Sequence, residues 1–124
     1  TSFLLLDIDN VKQINDNYGH QTGDNVIREI AKLCQSELRQ TDVFGRIGGD
    51  EFGIIHRSTA ETSLAFAKRL NKLVLKIPFE SDISISIGIS QFKDSDDTID
   101  QVYQRADIAL YQSKRAGKNM CSAE

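Results

Sequence analysis

The feature that most constrains the fold is a pair of short β-type runs separated by a glycine-containing turn. Residues 43–47 and 51–55 carry the runs, and Gly48, Gly49 and Asp50 lie between them. Glycine adopts the positive φ that a tight turn needs, so this pattern predicts two antiparallel strands joined as a β-hairpin. The chain is therefore expected to build a sheet that contains this hairpin.

Three further strands are predicted from the remaining sequence. Residues 3–8 form an apolar run that ends in acid, which is typical of a strand buried on both faces. Every second residue from Ile83 to Ile89 is isoleucine, with serine and glycine between, which predicts a strand with one apolar face. Residues 120–123 are expected to add a final edge strand.

Helical spacing of apolar residues accounts for the segments between the strands. Helices are predicted over residues 11–17, from Thr22 or Gly23 to Leu38, over residues 60–76, and from a cap at Asp97 or Thr98 to just before Gly117. The order β-α-α-β-β-α-β-α-β predicts an α/β fold in which helices cover a mixed five-stranded sheet with a central β-hairpin. Residues 1–124 are expected to form one domain, since a chain of this length buries one core.

Composition excludes several classes of protein. A net charge of -3 with interspersed signs lacks a basic face, so polymeric nucleic acid is not an expected partner. Cys34 and Cys121 form no metal-binding or disulfide pattern, and Cys34 is interpreted as a core residue. The isolated cysteines favour a reducing compartment, so the domain is expected to be cytoplasmic. No apolar run approaches the roughly 20 residues that span a bilayer, so no membrane contact is expected. Because an apolar run follows Thr1 almost at once, we expect the domain to be part of a longer protein.

Two acidic clusters are the strongest sign of chemistry. Asp7 and Asp9 follow the first predicted strand, and Asp50 and Glu51 lie at the hairpin turn, where neighbouring strands could bring them together. Converging carboxylates repel one another unless a cation joins them, and oxygen ligands suit Mg²⁺, which completes its shell with water and substrate phosphates. The alternative is that acids in turns are simply solvated. Spacing alone does not decide between these two interpretations.

The string Gly48-Gly49-Asp50-Glu51-Phe52 resembles the signature of the GGDEF family, and Arg46 precedes it as is usual there. Further ordered matches cover almost the whole chain: Asp7-Ile8-Asp9, Lys12, Ile14-Asn15-Asp16, Tyr18-Gly19-His20, Gly23-Asp24, Ser86-Ile87-Gly88, Ala106-Asp107, Ala109-Leu110-Tyr111, Lys114, Gly117 and Asn119. The resemblance implies a fold like that of nucleotide cyclase and polymerase palm domains. It also implies a diguanylate cyclase, which condenses two GTP into cyclic di-GMP and two pyrophosphates.

The resemblance assigns catalytic and metal-binding roles at the acidic clusters. Asp7, Asp50 and Glu51 are expected to be catalytic. Together with the Ile8 carbonyl they are expected to hold two Mg²⁺ per half-site, and Mn²⁺ could replace Mg²⁺.

The resemblance also assigns the groups that bind GTP. Asn15 and Asp24 are the expected guanine ligands, and a carboxylate at position 24 favours guanine because adenine presents a lone pair at N1. The expected phosphate ligands are Lys12, Gly48, Gly49, Lys114 and Lys118, with both C-terminal lysines placed one turn apart on the last helix. Lysine at 118 departs from the usual arginine and loses its bidentate fork. Val11 departs from the usual phenylalanine.

A second site is expected at Arg39 and Asp42, which match the RxxD pattern where the family's product binds and inhibits. There the arginine would stack on guanine and contact phosphate, while the aspartate would accept hydrogen bonds from the guanine edge. The string alone is weak, because solvated helix ends often carry it.

Catalysis in the resembled family needs a homodimer in which two half-sites present their GTP molecules to each other. A sensor or receiver domain is expected elsewhere in the parent protein, which could be anchored at the inner face of the membrane. The alternative is an inactive module that binds GTP or cyclic di-GMP as a sensor or effector. A cyclase with another product, such as cyclic GMP-AMP, is disfavoured by Asp24.

Overall fold

The computed structural model describes residues 1–96 and 98–124 and contains five strands and four helices. In chain order the elements are β1 (Ser2–Ile8), α1 (Val11–Tyr18), α2 (His20–Ser36), β2 (Val43–Gly48), β3 (Glu51–His56), α3 (Ala60–Leu75), β4 (Ile85–Gln91), α4 (Ile99–Arg115) and β5 (Cys121–Ala123). The predicted element order and fold class are confirmed. Asp97, one of the two caps predicted for the last helix, lies outside the described residues, and Thr98 caps α4 with a capping box.

The strands form one mixed sheet in the order β2-β3-β1-β4-β5. β1 pairs antiparallel with β3 and with β4, and β5 pairs parallel with β4. The β2–β3 hairpin therefore lies at one edge of the sheet, so the prediction of a central hairpin was wrong. β1 occupies the middle instead, because it pairs with β3 on one side and with β4 on the other. This follows from the sequence of β1, whose Leu4, Leu5 and Leu6 are each 1% exposed or less and need cover on both faces.

The two faces of the sheet are covered by different helices. The larger core lies under α2 and α3, and Ile30, Cys34 and Leu70 are fully buried there. On the other face α4 packs against β4 and β1. The sequence predicted only one apolar face for β4, but its serine face is also buried because α4 covers it. Ser90 donates to the carbonyl of Val102 at 2.8 Å, so the hydroxyls on this face are satisfied.

Several helix boundaries differ from the predictions by one to three residues, and the start of α2 and the end of α4 bear on the site. α2 begins at His20 rather than at Thr22 or Gly23, because Gly19 with φ +91° forms the break from α1 directly before it. α4 ends at Arg115, and the N–H of Lys118 donates to the Ser113 carbonyl at 3.0 Å around Gly117 at φ +124°. This is a Schellman ending, so Lys118 lies beyond the helix. The prediction that both C-terminal lysines lie one turn apart on α4 was therefore wrong.

No helix within residues 1–96 and 98–124 is both long and apolar enough to cross a membrane.

Candidate active site

Asp7 and Glu51 are directly opposite each other on the neighbouring strands β1 and β3. The N–H of Ile8 donates to the Asp50 carbonyl at 3.2 Å, which ties the end of β1 to the hairpin turn. The sheet register thus brings Asp7, Ile8, Asp50 and Glu51 to one place. Each of these residues was predicted as a catalytic or metal-binding group.

Asp7 is the electrostatic centre of this cluster. Burial is the main cause that raises the pKa of Asp7 above its ordinary value, and the nearby Asp50 raises it further, while Lys114 opposes both. The Lys114 ammonium forms an ion pair and hydrogen bond with Oδ2 of Asp7. Burial acts to lower the pKa of Lys114, but its contact with Asp7 outweighs burial and raises that pKa. Lys114 therefore supplies the positive charge that offsets the buried carboxylate.

The chemistry of these donors fits a divalent cation that is shared with a substrate. Oδ1 of Asp7 is buried and accepts no hydrogen bond from any described residue, so one acidic oxygen is left for a ligand. Among the described residues, no three acidic, histidine or cysteine side chains converge closely enough to hold a metal alone. Mg²⁺ commonly takes one or two carboxylates and completes its shell with water and phosphate oxygens. The arrangement suits that mode of binding.

Tyr103 on α4 contacts the cluster from its other side. Its hydroxyl donates to Oε1 of Glu51 at 2.6 Å. This hydrogen bond is the main cause that raises the pKa of Tyr103 to about 12, and burial adds to it. This contact was not predicted from the sequence, because Tyr103 also fits the apolar stripe of the last helix. The available signal was its spacing from Lys114, since eleven residues make about three turns and place both side chains on one face.

Asp9 is not part of the cluster, although the sequence grouped it with Asp7. It is 4% exposed, and its carboxylate accepts hydrogen bonds from Ser84 Oγ at 2.7 Å, Ser86 Oγ at 2.6 Å and the N–H of Asn119 at 3.1 Å. β1 ends at Ile8, so Asp9 no longer follows the alternation of the strand. Its carboxylate instead connects the start of β4 with the loop after α4.

The backbone of the hairpin turn is accessible at its two glycines. Gly49 has φ +51°, which favours glycine, and its carbonyl accepts from Nε of Arg46 at 2.8 Å and also from Nη2. Gly48 is the last residue of β2, and the pairing register with β3 shifts between Arg46 and Gly48. A Cβ at either glycine would meet no protein atom within 4 Å, so the turn leaves backbone accessible to a ligand.

A groove of about 640 Å³ lies between α2 and the β2–β3 hairpin, and its lining includes Asp24, Arg28, Phe44 and Arg46. Asp24 is exposed on α2, so its carboxylate is accessible to a ligand in this groove. Asn15 does not line this groove. Its buried Oδ1 accepts no hydrogen bond from the described chain and lies against Gly23, the neighbour of Asp24. Asn15 on α1 thus lies against the residue next to Asp24 on α2, so the two predicted guanine ligands are near each other. The Oδ1 atom of Asn15 can accept a hydrogen bond from a ligand.

The predicted phosphate-binding lysines lie around the turn between β1 and α1. Lys12 is exposed on α1. Lys118 donates from Nζ to Oδ1 of Asn10 at 2.7 Å, and Asn10 precedes α1 with φ +61°. Lys114 on α4 therefore contacts the end of β1, and Lys118 beyond α4 contacts the turn that follows β1. Val11, the other departure from the family pattern, is partly buried against the main core.

The predicted inhibitory site has an exposed arginine and a buried aspartate. Arg39 has 59% of its side chain exposed, whereas that of Asp42 is 1% exposed. The Asp42 carboxylate accepts from the N–H groups of Arg39 at 3.0 Å and Arg57 at 3.1 Å. Burial acts to raise the pKa of Asp42, but these donors outweigh it and lower that pKa. Asp42 thus fixes the backbone that carries Arg39.

A groove of about 340 Å³ lies beside Arg39, with His56, Phe66 and Arg69 in its lining. The His56 and Phe66 rings stack at 4.6 Å, and Nδ1 of His56 lies 2.7 Å from Ser63 Oγ. Burial is the main cause that lowers the pKa of His56. The histidine is therefore a packed element of the groove floor.

The sequence profile of the family described as "Diguanylate cyclase, GGDEF domain" matches residues 1–120. Diguanylate cyclase A of Treponema denticola is 39% identical over 124 residues, which cover 95% of this chain and 33% of that protein. The solved active GGEEF domain of a diguanylate cyclase from Vibrio cholerae superposes with a TM-score of 0.91 at 38% identity, covering 98% of this chain and 81% of that one.

A second solved structure, the GGDEF domain of DgcB from Caulobacter crescentus in complex with c-di-GMP, gives a TM-score of 0.93 at 33% identity. The match covers 98% of this chain and 76% of that one. The chain spans about a third of the length of the curated relatives, from 28% to 39% in the first four.

Proposed function

Because the chain belongs to the GGDEF family of diguanylate cyclase domains, we propose that it condenses two GTP molecules into cyclic di-GMP. The observation that carries the proposal is the cross-strand pairing of Asp7 with Glu51, beside Asp50 and Lys114. This arrangement combines acidic oxygens for a divalent cation with a cation for phosphate. Two relatives that are each 39% identical to this chain are named diguanylate cyclases.

The reaction consists of two identical displacements. The 3′-hydroxyl oxygen of one GTP forms a bond to the α-phosphorus of the other, the bond from that phosphorus to the pyrophosphate oxygen breaks, and the hydroxyl proton passes to solvent. Repetition in the opposite sense closes the ring and releases the second pyrophosphate. Each domain holds one GTP in this scheme, so a homodimer with facing sites is required.

The metal ligands in this proposal are Asp7, the Ile8 carbonyl, Asp50 and Glu51. Two Mg²⁺ ions, or Mn²⁺ in their place, would neutralise charge on the phosphates and lower the pKa of the attacking hydroxyl. The free Oδ1 of Asp7 supports a role as ligand. Lys114 has to leave Asp7, at least in part, when a cation and a triphosphate arrive.

The GTP molecule would extend from the groove beside Asp24 to the hairpin turn. Asp24 and Asn15 would accept hydrogen bonds from the N–H groups of guanine. Gly48 and Gly49 would approach the phosphates with their backbone. Lys12, Lys114 and Lys118 would contact the phosphates with their ammonium groups, as point charges rather than bidentate forks.

Product inhibition is proposed at the groove that carries Arg39. The exposed guanidinium would stack on a guanine or bind a phosphate of cyclic di-GMP. Asp42 would act mainly by holding this backbone, because its side chain is only 1% exposed and accepts the N–H groups of Arg39 and Arg57. Each carboxylate oxygen keeps a second lone pair, so direct acceptance from guanine would require this side chain to become accessible.

The proposed activity is tested by incubating the purified chain, fused to a constitutive dimerisation domain, with GTP and Mg²⁺. Products are identified by chromatography and mass spectrometry. Glu51→Gln is the test variant, and Glu61→Gln on the exposed start of α3 is its matched control. We expect cyclic di-GMP from the native chain and the control but not from Glu51→Gln. Binding of GTP or cyclic di-GMP without turnover would favour the sensor or effector module instead.

The partner domains also belong to the proposal. Since the curated relatives are about three times longer than the matched region, we expect a sensor or receiver domain to control dimerisation in the parent protein. The domain itself is proposed to act in the cytoplasm, where GTP is available.

A further inference from the structure

Helix α4 presents one donor to each of the two cross-strand carboxylates. Lys114 contacts Asp7, and the Tyr103 hydroxyl contacts Glu51 at 2.6 Å. Asp7 and Glu51 are paired across β1 and β3, so a single helix contacts both members of the pair. The two donors differ in charge, because the ammonium of lysine neutralises its partner whereas the neutral hydroxyl leaves the carboxylate charged.

The direction of the Tyr103 hydroxyl is set by packing. The ring is half-buried and lies at 6.2 Å from the ring of Phe3, measured between centroids. Tyr103 and Phe3 also line an apolar groove beside the hairpin, together with Ile55 and Ile99. Phe3 is itself 6% exposed and belongs to the core on this face of the sheet. The ring is therefore confined by the core, and its hydroxyl lies at the edge of the acidic cluster.

From this geometry we propose that Tyr103 is a positioning residue, whose hydroxyl fixes the Glu51 carboxylate in the orientation that binds a divalent cation. The inference rests on the proposed function, since it assigns Glu51 as a ligand. Tyr103 contacts neither substrate nor cation in this role. It acts through Oε1 of Glu51 and leaves Oε2 for the ligand.

The physical reason is the orientation of a flexible ligand. A glutamate side chain has three rotatable bonds, and binding a cation restricts all of them. A hydrogen bond from a confined donor restricts them beforehand without cancelling the negative charge. Groups that hydrogen-bond to metal ligands in this way typically contribute about 10- to 100-fold to metal affinity.

The test is a Mn²⁺ titration of the full chain, followed by the electron paramagnetic resonance signal of free Mn²⁺. It is run alone and with the α,β-methylene analogue of GTP, which cannot release pyrophosphate. Tyr103→Phe removes only the hydroxyl and keeps the ring. Tyr111→Phe is the matched control, because Tyr111 lies on α4 with 60% exposure. Circular dichroism and thermal unfolding verify that both variants fold.

We expect Tyr103→Phe to weaken Mn²⁺ binding about tenfold or more and Tyr111→Phe to bind as the native chain does. In a Glu51→Gln background, adding Tyr103→Phe should cause no further loss, because the hydroxyl acts through Glu51. Native-like binding by Tyr103→Phe overturns the inference, and so does an equal loss in the Glu51→Gln background. Absence of Mn²⁺ binding by the native chain under both conditions also overturns it.

Failure of the proposed function gives a different result. If the native chain binds Mn²⁺ and Tyr103→Phe weakens that binding, but no cyclic di-GMP forms in the dimeric fusion, the cyclase proposal fails and the role of Tyr103 stands. If cyclic di-GMP forms and Tyr103→Phe keeps native Mn²⁺ affinity, the cyclase proposal stands and the role of Tyr103 fails.

Discussion

Gly88 of β4 lies directly against the backbone of Ala106 on α4, so that a Cβ at position 88 would come within 2.1 Å of the Ala106 carbonyl oxygen. The backbone nitrogen of Leu110 would lie at 2.3 Å from the same Cβ. Only glycine lets α4 approach the sheet this closely. Because Tyr103 and Lys114 both extend from α4 to the acidic cluster, the approach at Gly88 sets the position of two site residues.

Gly88→Ala should therefore both destabilise the fold and impair the site. The added methyl group would press on the α4 backbone, which cannot rotate away as a side chain can. We expect the free energy of unfolding to fall by about 1–3 kcal/mol. Urea denaturation measures this, and Gly45→Ala is the matched control because a Cβ there meets nothing within 4 Å. The account is contradicted if Gly88→Ala is as stable as Gly45→Ala.

Gly23→Ala should displace Asn15 with little effect on the core. A Cβ at position 23 would lie 1.8 Å from Oδ1 of Asn15, and that side chain can rotate away. The proposed guanine ligand then moves, so we expect the dissociation constant for GTP to rise about tenfold, as for the loss of a hydrogen bond of about 1.4 kcal/mol. Isothermal titration with the GTP analogue measures it, and Asn17→Ala, exposed on α1, serves as control. If Gly23→Ala and Asn17→Ala bind the GTP analogue with equal affinity, Asn15 is not a guanine ligand.

Acid stability should depend on the bidentate pairing of Asp96 with Arg105. Two guanidinium nitrogens donate to the carboxylate at 2.8 Å each, and this contact is the main cause that lowers the pKa of Asp96 to about 2. A depressed folded-state pKa contributes stability above the ordinary value near 3.8, and that contribution is lost as pH falls from there to about 2.

The prediction is checked by thermal unfolding of Asp96→Asn and native protein across that pH range. The melting temperature of the native protein should exceed that of Asp96→Asn most strongly above about pH 4, and this difference should disappear near pH 2. Asp94→Asn, exposed in the same loop, is the control. A difference between Asp96→Asn and native protein that stays constant with pH would show that the ion pair is not its source.

Arg39→Ala should weaken inhibition by cyclic di-GMP. The guanidinium is exposed, and its removal leaves the backbone donors to Asp42 in place. We expect the inhibition constant to rise at least tenfold, in line with loss of a charge-assisted contact. Arg115→Ala provides the control, because Arg115 is exposed at the end of α4 and does not line this groove. Unchanged inhibition in Arg39→Ala would remove this groove as the product site.

The strands and the hairpin could be predicted because alternation and glycine placement are local properties of the chain. The position of Asp9 could not be predicted, because it depends on Ser84 just before β4 and Ser86 within β4, which are 75 and 77 residues away in the chain. Lys118 follows α4 closely in sequence, yet Gly117 turns it out of the helix toward Asn10. The Tyr103 contact depends on how closely α4 lies to the sheet. Such side-chain directions are set by tertiary packing, which periodicity does not contain.

The most direct test of the central claim is the stoichiometry of products made from GTP and Mg²⁺ by the dimeric fusion. Cyclic di-GMP is quantified by mass spectrometry and pyrophosphate by an enzyme-coupled assay in the same sample. The account predicts two pyrophosphates for each cyclic di-GMP, and neither product from Asp7→Asn. A native chain that binds the GTP analogue but forms no cyclic di-GMP would contradict it.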